Sequence, residues 1–126
     1  MSTIATDSPL SEIDTRGLVS LVAMMIPASD KHGVPGADDA SIIADILATA
    51  RQHAELLEAG LGELEAAARA RHGASFVEVA PEVRRVLIEA ARADSPMFYR
   101  VVVSITVQCY YRDPRVMESL GMEARP

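Results

Sequence analysis

Ser95-Pro96-Met97-Phe98-Tyr99-Arg100-Val101-Val102-Val103-Ser104-Ile105-Thr106-Val107-Gln108-Cys109-Tyr110-Tyr111 is the stretch on which the fold class turns. Its β-branched run, Val101-Val102-Val103, would suit a strand. Three features decide for a helix. The stretch is far longer than the five or six residues (roughly) of an ordinary strand. Ser95 stands as a cap with Pro96 in the first helical position. No other segment reads as a partner strand. On that helix Phe98, Val101, Val102 and Ile105 fall on one side, and Tyr99, Val103, Val107 and Tyr110 on another. Only Arg100, Ser104 and Gln108 make a narrow polar stripe. A helix this apolar is either central in its own bundle or packed against something else.

Upstream, periodicity predicts four more helices. The first runs from about Ser11 to Met25, with Leu18, Leu21, Val22 and Met25 at helical spacing and Ser8-Pro9 and Ser11 as start signals. Pro27 stops it, and Pro35-Gly36 turns the chain before the next helix can begin. Asp38 and Asp39 then sit where acids favour a helix start, and Ile43, Ile46, Leu47 and Ala50 repeat the stripe. A third segment, about Ala54 to Arg71, carries Leu57, Leu61, Leu64 and Ala68, with Glu65 and Arg69 spaced for an ion pair. Gly60 and Gly62 inside it mark a bend or a close helix crossing, and Gly73 ends it. Ser75-Phe76-Val77-Glu78 has capping-box spacing, although Pro81 could open the fourth helix itself, leaving Phe76 and Val79 in a short turn. Val83, Val86, Leu87 and Ala90 form the apolar face of that helix. The expectation is an all-α, compact bundle of about five helices. It divides into a flexible N-terminus over 1–10, a helical domain over 11–112 and an irregular C-terminal tail over 113–126.

Composition agrees with helix-on-helix packing. Hydrophobic residues make up 49% of 126 residues, but aromatics only 4%, and tryptophan is absent, so Ala, Leu, Ile, Val and Met must fill the core. A net charge of −6, with Lys31 the single lysine, argues against a nucleic-acid surface. The apolar run from Gly17 to Ala28 falls short of the roughly 20 residues that a membrane span needs. Met1 to Pro9 shows no basic region, apolar run and cleavage site of an export signal, which gives the expectation of a cytoplasmic protein, or of a periplasmic one if such a signal has been trimmed away.

Catalytic constellations are missing from the sequence. His32, His53 and His72 have no second ligand at metal-binding spacing, and the one cysteine, Cys109, excludes an internal disulfide. Cys109 is read as a small buried residue, with an intersubunit bridge as the alternative. Gly33 and Gly36 lead into a helix, but no strand delivers them as a phosphate loop would require. Asp38 and Asp39 are better explained as helix-capping acids than as an acid–base pair, and Ser104 has no base in reach. Met24 and Met25 read as core filling.

Two motifs nevertheless stand out. The first is Ile26-Pro27-Ala28 followed by Asp30, Pro35-Gly36-Ala37, and then Ile43, Asp45 and Ile46. The second is Phe98-Tyr99, Thr106 through Tyr110-Tyr111, Asp113-Pro114 and Leu120-Gly121. Together and in this order they resemble the gluconate 2-dehydrogenase subunit 3 family. Cys109 stands where that family usually has glycine, and Gly121-Met122 where it has Gly-Tyr. The resemblance implies an accessory subunit with no catalytic, cofactor-binding or metal-binding residues of its own. Its partner would be a larger flavoprotein of the glucose–methanol–choline oxidoreductase type, which carries FAD and oxidises sugars, sugar acids or glycosides. The small subunit would assist folding, export or stability. Many members carry a twin-arginine export signal; here Arg84-Arg85 lies inside a predicted helix, and the resemblance then favours a cytoplasmic complex.

The residues assigned to the partner surface are Tyr110, Tyr111, Arg112, Asp113 and Pro114, with Pro35 and Gly36 from the loop. Tyrosine and arginine combine contact area with a directional polar end. Tyr110 and Tyr111 could equally close the end of the bundle, and the loop prolines could serve only to turn the chain. Two other function classes stay open. One is a stand-alone small enzyme using the Arg100, Ser104 and Gln108 stripe; the other is a homo-oligomer held by the apolar fifth helix.

Overall fold

The computed structural model describes residues 8–121. Residues 1–7 of the expected flexible N-terminus and 122–126 of the expected tail, Met122 included, lie outside the described residues. The chain is all-α. Among the described residues the helices are α1 (Glu12–Met25), α2 (Ala40–Ala50), α3 (Ala54–His72), α4 (Pro81–Asp94), α5 (Pro96–Tyr111) and the short α6 (Pro114–Ser119). A 3-10 turn, Arg51–His53, joins α2 to α3. No strand occurs among them, only an isolated antiparallel bridge between Ser29 and Val34.

Local chemistry sets most of the boundaries. The Ser11 hydroxyl accepts from the Asp14 N–H at 3.2 Å and caps α1. One carboxylate oxygen of Asp39 accepts from the N–H groups of Ser41, at 3.1 Å, and Ile42, at 3.4 Å, so Asp39 is the N-cap of α2 and Asp38 stands outside it. Gly73 ends α3 in the left-handed conformation, φ 67°, which a side chain would disfavour. Ser75 and Glu78 form half of the expected box. The Glu78 carboxylate accepts the Ser75 N–H at 3.1 Å, but the Ser75 hydroxyl donates to Glu65 at 2.8 Å instead. Residues 75–79 are the short turn, with Phe76 and Val79 buried, and Pro81 opens α4. Ser95 occupies the predicted junction before Pro96, yet its hydroxyl donates to Glu63 at 3.3 Å rather than capping α5.

The inward stripes follow the periodicity with three changes. In α2 the buried face is Ile42, Ile46 and Ala50, leaving Ile43 and Leu47 at its margin. In α4 Leu87 is buried while Val86, expected inside, is 65% exposed, because the core lies toward Val83, Leu87 and Ala91. Met24 and Met25 are only partly buried and line an open groove with Leu21, Arg85, Ile88, Glu89 and Tyr99. The face of α3 is as predicted, with Leu57, Leu61, Leu64 and Ala68 all buried.

Helix α5 is the hub, packing against α2, α3, α4 and α6, while α3 also meets α1 and α4. Gly60 makes the α3–α5 crossing possible. A Cβ there would overlap the Cγ, Cδ1 and Cε1 atoms of the buried Phe98 ring, whereas one at Gly62 would meet nothing within 4 Å. The close approach is therefore Gly60's alone. The segment after Tyr111 departs from the irregular tail expected of it. Asp113 caps α6, its carboxylate accepting the Arg115 N–H at 2.9 Å, with Pro114 in the first turn and Val116 buried.

Candidate functional site

The two sequence motifs meet in space where the 26–39 loop reaches the C-terminal end of α5. Within the loop, Ser29 and Val34 exchange both backbone hydrogen bonds at 3.1 Å, and Gly33 turns the tip at φ 63°. The Ala37 N–H donates to the Ile26 carbonyl at 2.9 Å and closes the base. Gly36 is buried against that base. A Cβ on it would come within 2.8 Å of the Ala28 nitrogen and 2.6 Å of the Asp38 carboxylate, so only glycine fits without a shift.

Helix α5 holds this loop through Tyr110, which is buried and whose hydroxyl donates to the Pro35 carbonyl at 2.8 Å. Burial raises the phenol pKa, and the neighbouring Tyr111 and Asp113 raise it further, so the hydroxyl remains a donor throughout the neutral range. Beside it, Arg112 grips Asp45 of α2 with two hydrogen bonds, 2.7 and 2.6 Å, in the fork geometry that suits a carboxylate. Arg115 of α6 reaches Asp39 at 3.2 and 2.8 Å and also binds Asp113 at 3.1 and 2.9 Å. Hydrogen bonding from Arg115 holds the Asp39 carboxyl well below its usual range and lowers Asp113 likewise; Arg112 does the same for Asp45. All three carboxylates are thus held ionised.

Cys109 lies beneath Arg112, buried, with its sulfur 3.7 Å from the Thr49 hydroxyl and 3.6 Å from an Arg112 nitrogen. Burial, foremost, pushes the thiol pKa up, which makes it a poor nucleophile and metal ligand. Its burial supports the packed-residue reading over a disulfide between subunits.

The residues assigned to a partner surface are brought together, but not in one role. Tyr110 and Gly36 are buried; Pro35 and Asp113 are partly so. Arg112 and Asp113 are engaged within the chain. Tyr111, 48% exposed, and Pro114 face outward. Asp39, Thr49 and Arg115 complete the cluster and were not singled out for it in the sequence. Asp39 was visible as a capping acid, whereas Arg115 offered only its nearby pairing with Asp113, its other carboxylate, Asp39, lying 76 residues away.

The alternative polar site has a different character. Arg100, Ser104 and Gln108 lie exposed along the outer face of α5, where Gln108 donates to Ser104 at 3.3 Å. Among the described residues no three His, Cys, Asp or Glu side chains gather as a metal site. No helix among them is long and apolar enough to cross a membrane.

Comparison with curated proteins and with solved structures gives no match. The family model for gluconate 2-dehydrogenase subunit 3 matches residues 14–123, which takes in both motifs and all the described helices but the first two residues of α1. That family supplies a subunit of a dehydrogenase complex. The chain belongs to the gluconate 2-dehydrogenase subunit 3 family.

Proposed function

We propose that this chain is the small, non-catalytic subunit of an FAD-dependent dehydrogenase of the glucose–methanol–choline type. In this reading the flavoprotein holds FAD and oxidises a sugar, sugar acid or glycoside, and the small subunit stabilises it or assists its folding. The observation that carries the reading is the family match over residues 14–123. The geometry at the junction of loop and α5 supports it. Asp39, Asp45 and Asp113, the carboxylates in the family-like cluster, are each tied to arginine and kept ionised. Carboxylates held far below neutral pH are poor proton carriers for turnover, but their ion pairs tie the end of the loop and α2 to α5 and α6 beside the exposed Tyr111. A rigid, preformed surface loses little entropy on association. A cytoplasmic complex is part of the same proposal and is checked by cell fractionation.

The test is to express a glucose–methanol–choline-type flavoprotein of the same genome with and without this chain. Soluble, FAD-loaded flavoprotein should rise several-fold when the chain is present, and the chain alone should reduce no electron acceptor with gluconate or glucose. Equal yields in both cases, or turnover by the isolated chain, would refute the proposal.

A further inference from the structure

The outer face of α5 is unusual among the surfaces of this bundle. Met97, Val107 and Tyr111 are 57%, 43% and 48% exposed, on a helix whose opposite side is the centre of the core. With Arg100 and Ser104 they form one line, spaced by three and four residues: 97, 100, 104, 107, 111. At 1.5 Å per residue the line is about 21 Å long. That alternation is the pattern by which one helix lies along another.

The charge on this face indicates what should cover it. Arg100 is the one charged residue of α5 and makes no ion pair or hydrogen bond among the described residues. Arg92 reaches Glu89, Arg112 reaches Asp45 and Arg115 reaches Asp39, while Arg85 of α4 shares the unpaired state of Arg100. Helix α5 has no acidic residue. Packed against α5 of a second copy, Arg100 would meet no carboxylate from the facing helix, whether the helices ran parallel or antiparallel. An isolated guanidinium covered without a counter-charge is costly, so the covering helix must supply one.

We propose that the Met97–Arg100–Ser104–Val107–Tyr111 line docks an amphipathic helix of the dehydrogenase catalytic subunit, which sets apolar side chains against Met97, Val107 and Tyr111 and an aspartate or glutamate against Arg100. This inference rests on the function proposed above and names the surface and the chemistry of the contact. Arginine with tyrosine is a frequent centre of binding energy, because each joins a large apolar area to a directed polar group. Ser104 at the middle of the line lets the two backbones approach.

The experiment uses the full chain co-expressed with the flavoprotein of the preceding test, with a photo-crosslinking amino acid at Ser104 and, separately, the variant Arg100→Glu. Circular dichroism confirms that each variant retains its helices. The expected result is a crosslink from Ser104 to a helical segment of the flavoprotein bearing an Asp or Glu. Arg100→Glu should weaken the complex about tenfold or more, and changing that carboxylate to arginine should restore it. If the complex forms but Arg100→Glu leaves it unchanged, or Ser104 crosslinks only to another copy of this chain, the inference is overturned and the proposed function stands. If the unmodified chain forms no complex, the proposed function falls and this inference falls with it.

Discussion

Replacing Gly60 by alanine should destabilise the bundle, whereas the same change two residues later, at Gly62, should stabilise it. Both glycines lie inside α3, and neither has a positive φ. Each substitution therefore gains about the same helix propensity, roughly 1 kcal/mol. Their surroundings differ completely. The new methyl at 62 enters open space, while at 60 it meets the ring of Phe98, which is 2% exposed and would have to shift to make room. Overpacking of this kind costs about 1–3 kcal/mol. Because propensity is common to both, the difference between the two variants isolates the steric cost. It should be about 1–3 kcal/mol, or some 3–10 °C in melting temperature for a domain of this size. Thermal and urea unfolding followed by circular dichroism would measure it. Repeating Gly60→Ala in a Phe98→Leu background should recover much of the loss, since the obstructing ring is gone. If Gly60→Ala proves as stable as Gly62→Ala, the close α3–α5 crossing is wrong, and with it the placement of α5 at the centre.

Three other outcomes are expected. Tyr110→Phe removes the hydrogen bond to the Pro35 carbonyl and should cost about 1 kcal/mol in urea unfolding, with hydrogen exchange rising in the 26–37 loop. Asp39, Asp45 and Asp113 have folded pKa values below their unfolded ones, so their stabilisation is complete above about pH 4 and is lost as the pH falls below that range. The unfolding midpoint should therefore drop on acidification toward pH 2, and Asp39→Asn should reduce the size of that drop; an unchanged profile would contradict the ion pairing. The Cys109 thiol should react with a disulfide reagent only as fast as the protein unfolds, and rapid reaction of the native chain would contradict its burial.

The elements themselves were legible wherever a local rule decided them. Pro96, Pro81 and Gly73 mark helix ends by backbone geometry alone, and Leu57, Leu61, Leu64 and Ala68 give the face of α3 without tertiary information. The start of α6 was equally available, since Asp113-Pro114 repeats the logic of Ser95-Pro96, but its shortness hid any stripe. What could not be read were choices made by distant neighbours. The Ser75 and Ser95 hydroxyls abandon their own helix starts for Glu65 and Glu63 of α3. The Glu65 carboxyl, despite burial that would raise its pKa, is held below its ordinary value by Ser75, the Phe76 N–H and Arg69. Val86 has the apolarity and spacing of a core residue, yet α4 turns it outward to place Leu87 inside. At the candidate site the two motifs were visible as separate stretches. Their joining through Tyr110–Pro35, Arg112–Asp45 and Arg115–Asp39 spans 67 to 76 residues and belongs to the fold.

The central claim is that this chain works as a bound subunit of a flavoprotein dehydrogenase. The most direct measurement is size-exclusion chromatography with light scattering on the chain co-expressed with the proposed flavoprotein partner, reading mass and flavin absorbance in the same peak. The account predicts one peak of defined stoichiometry that contains both chains and one FAD per flavoprotein, with the isolated small chain colourless. Separate elution of the two proteins at micromolar concentration, or flavin travelling with the small chain alone, would contradict it.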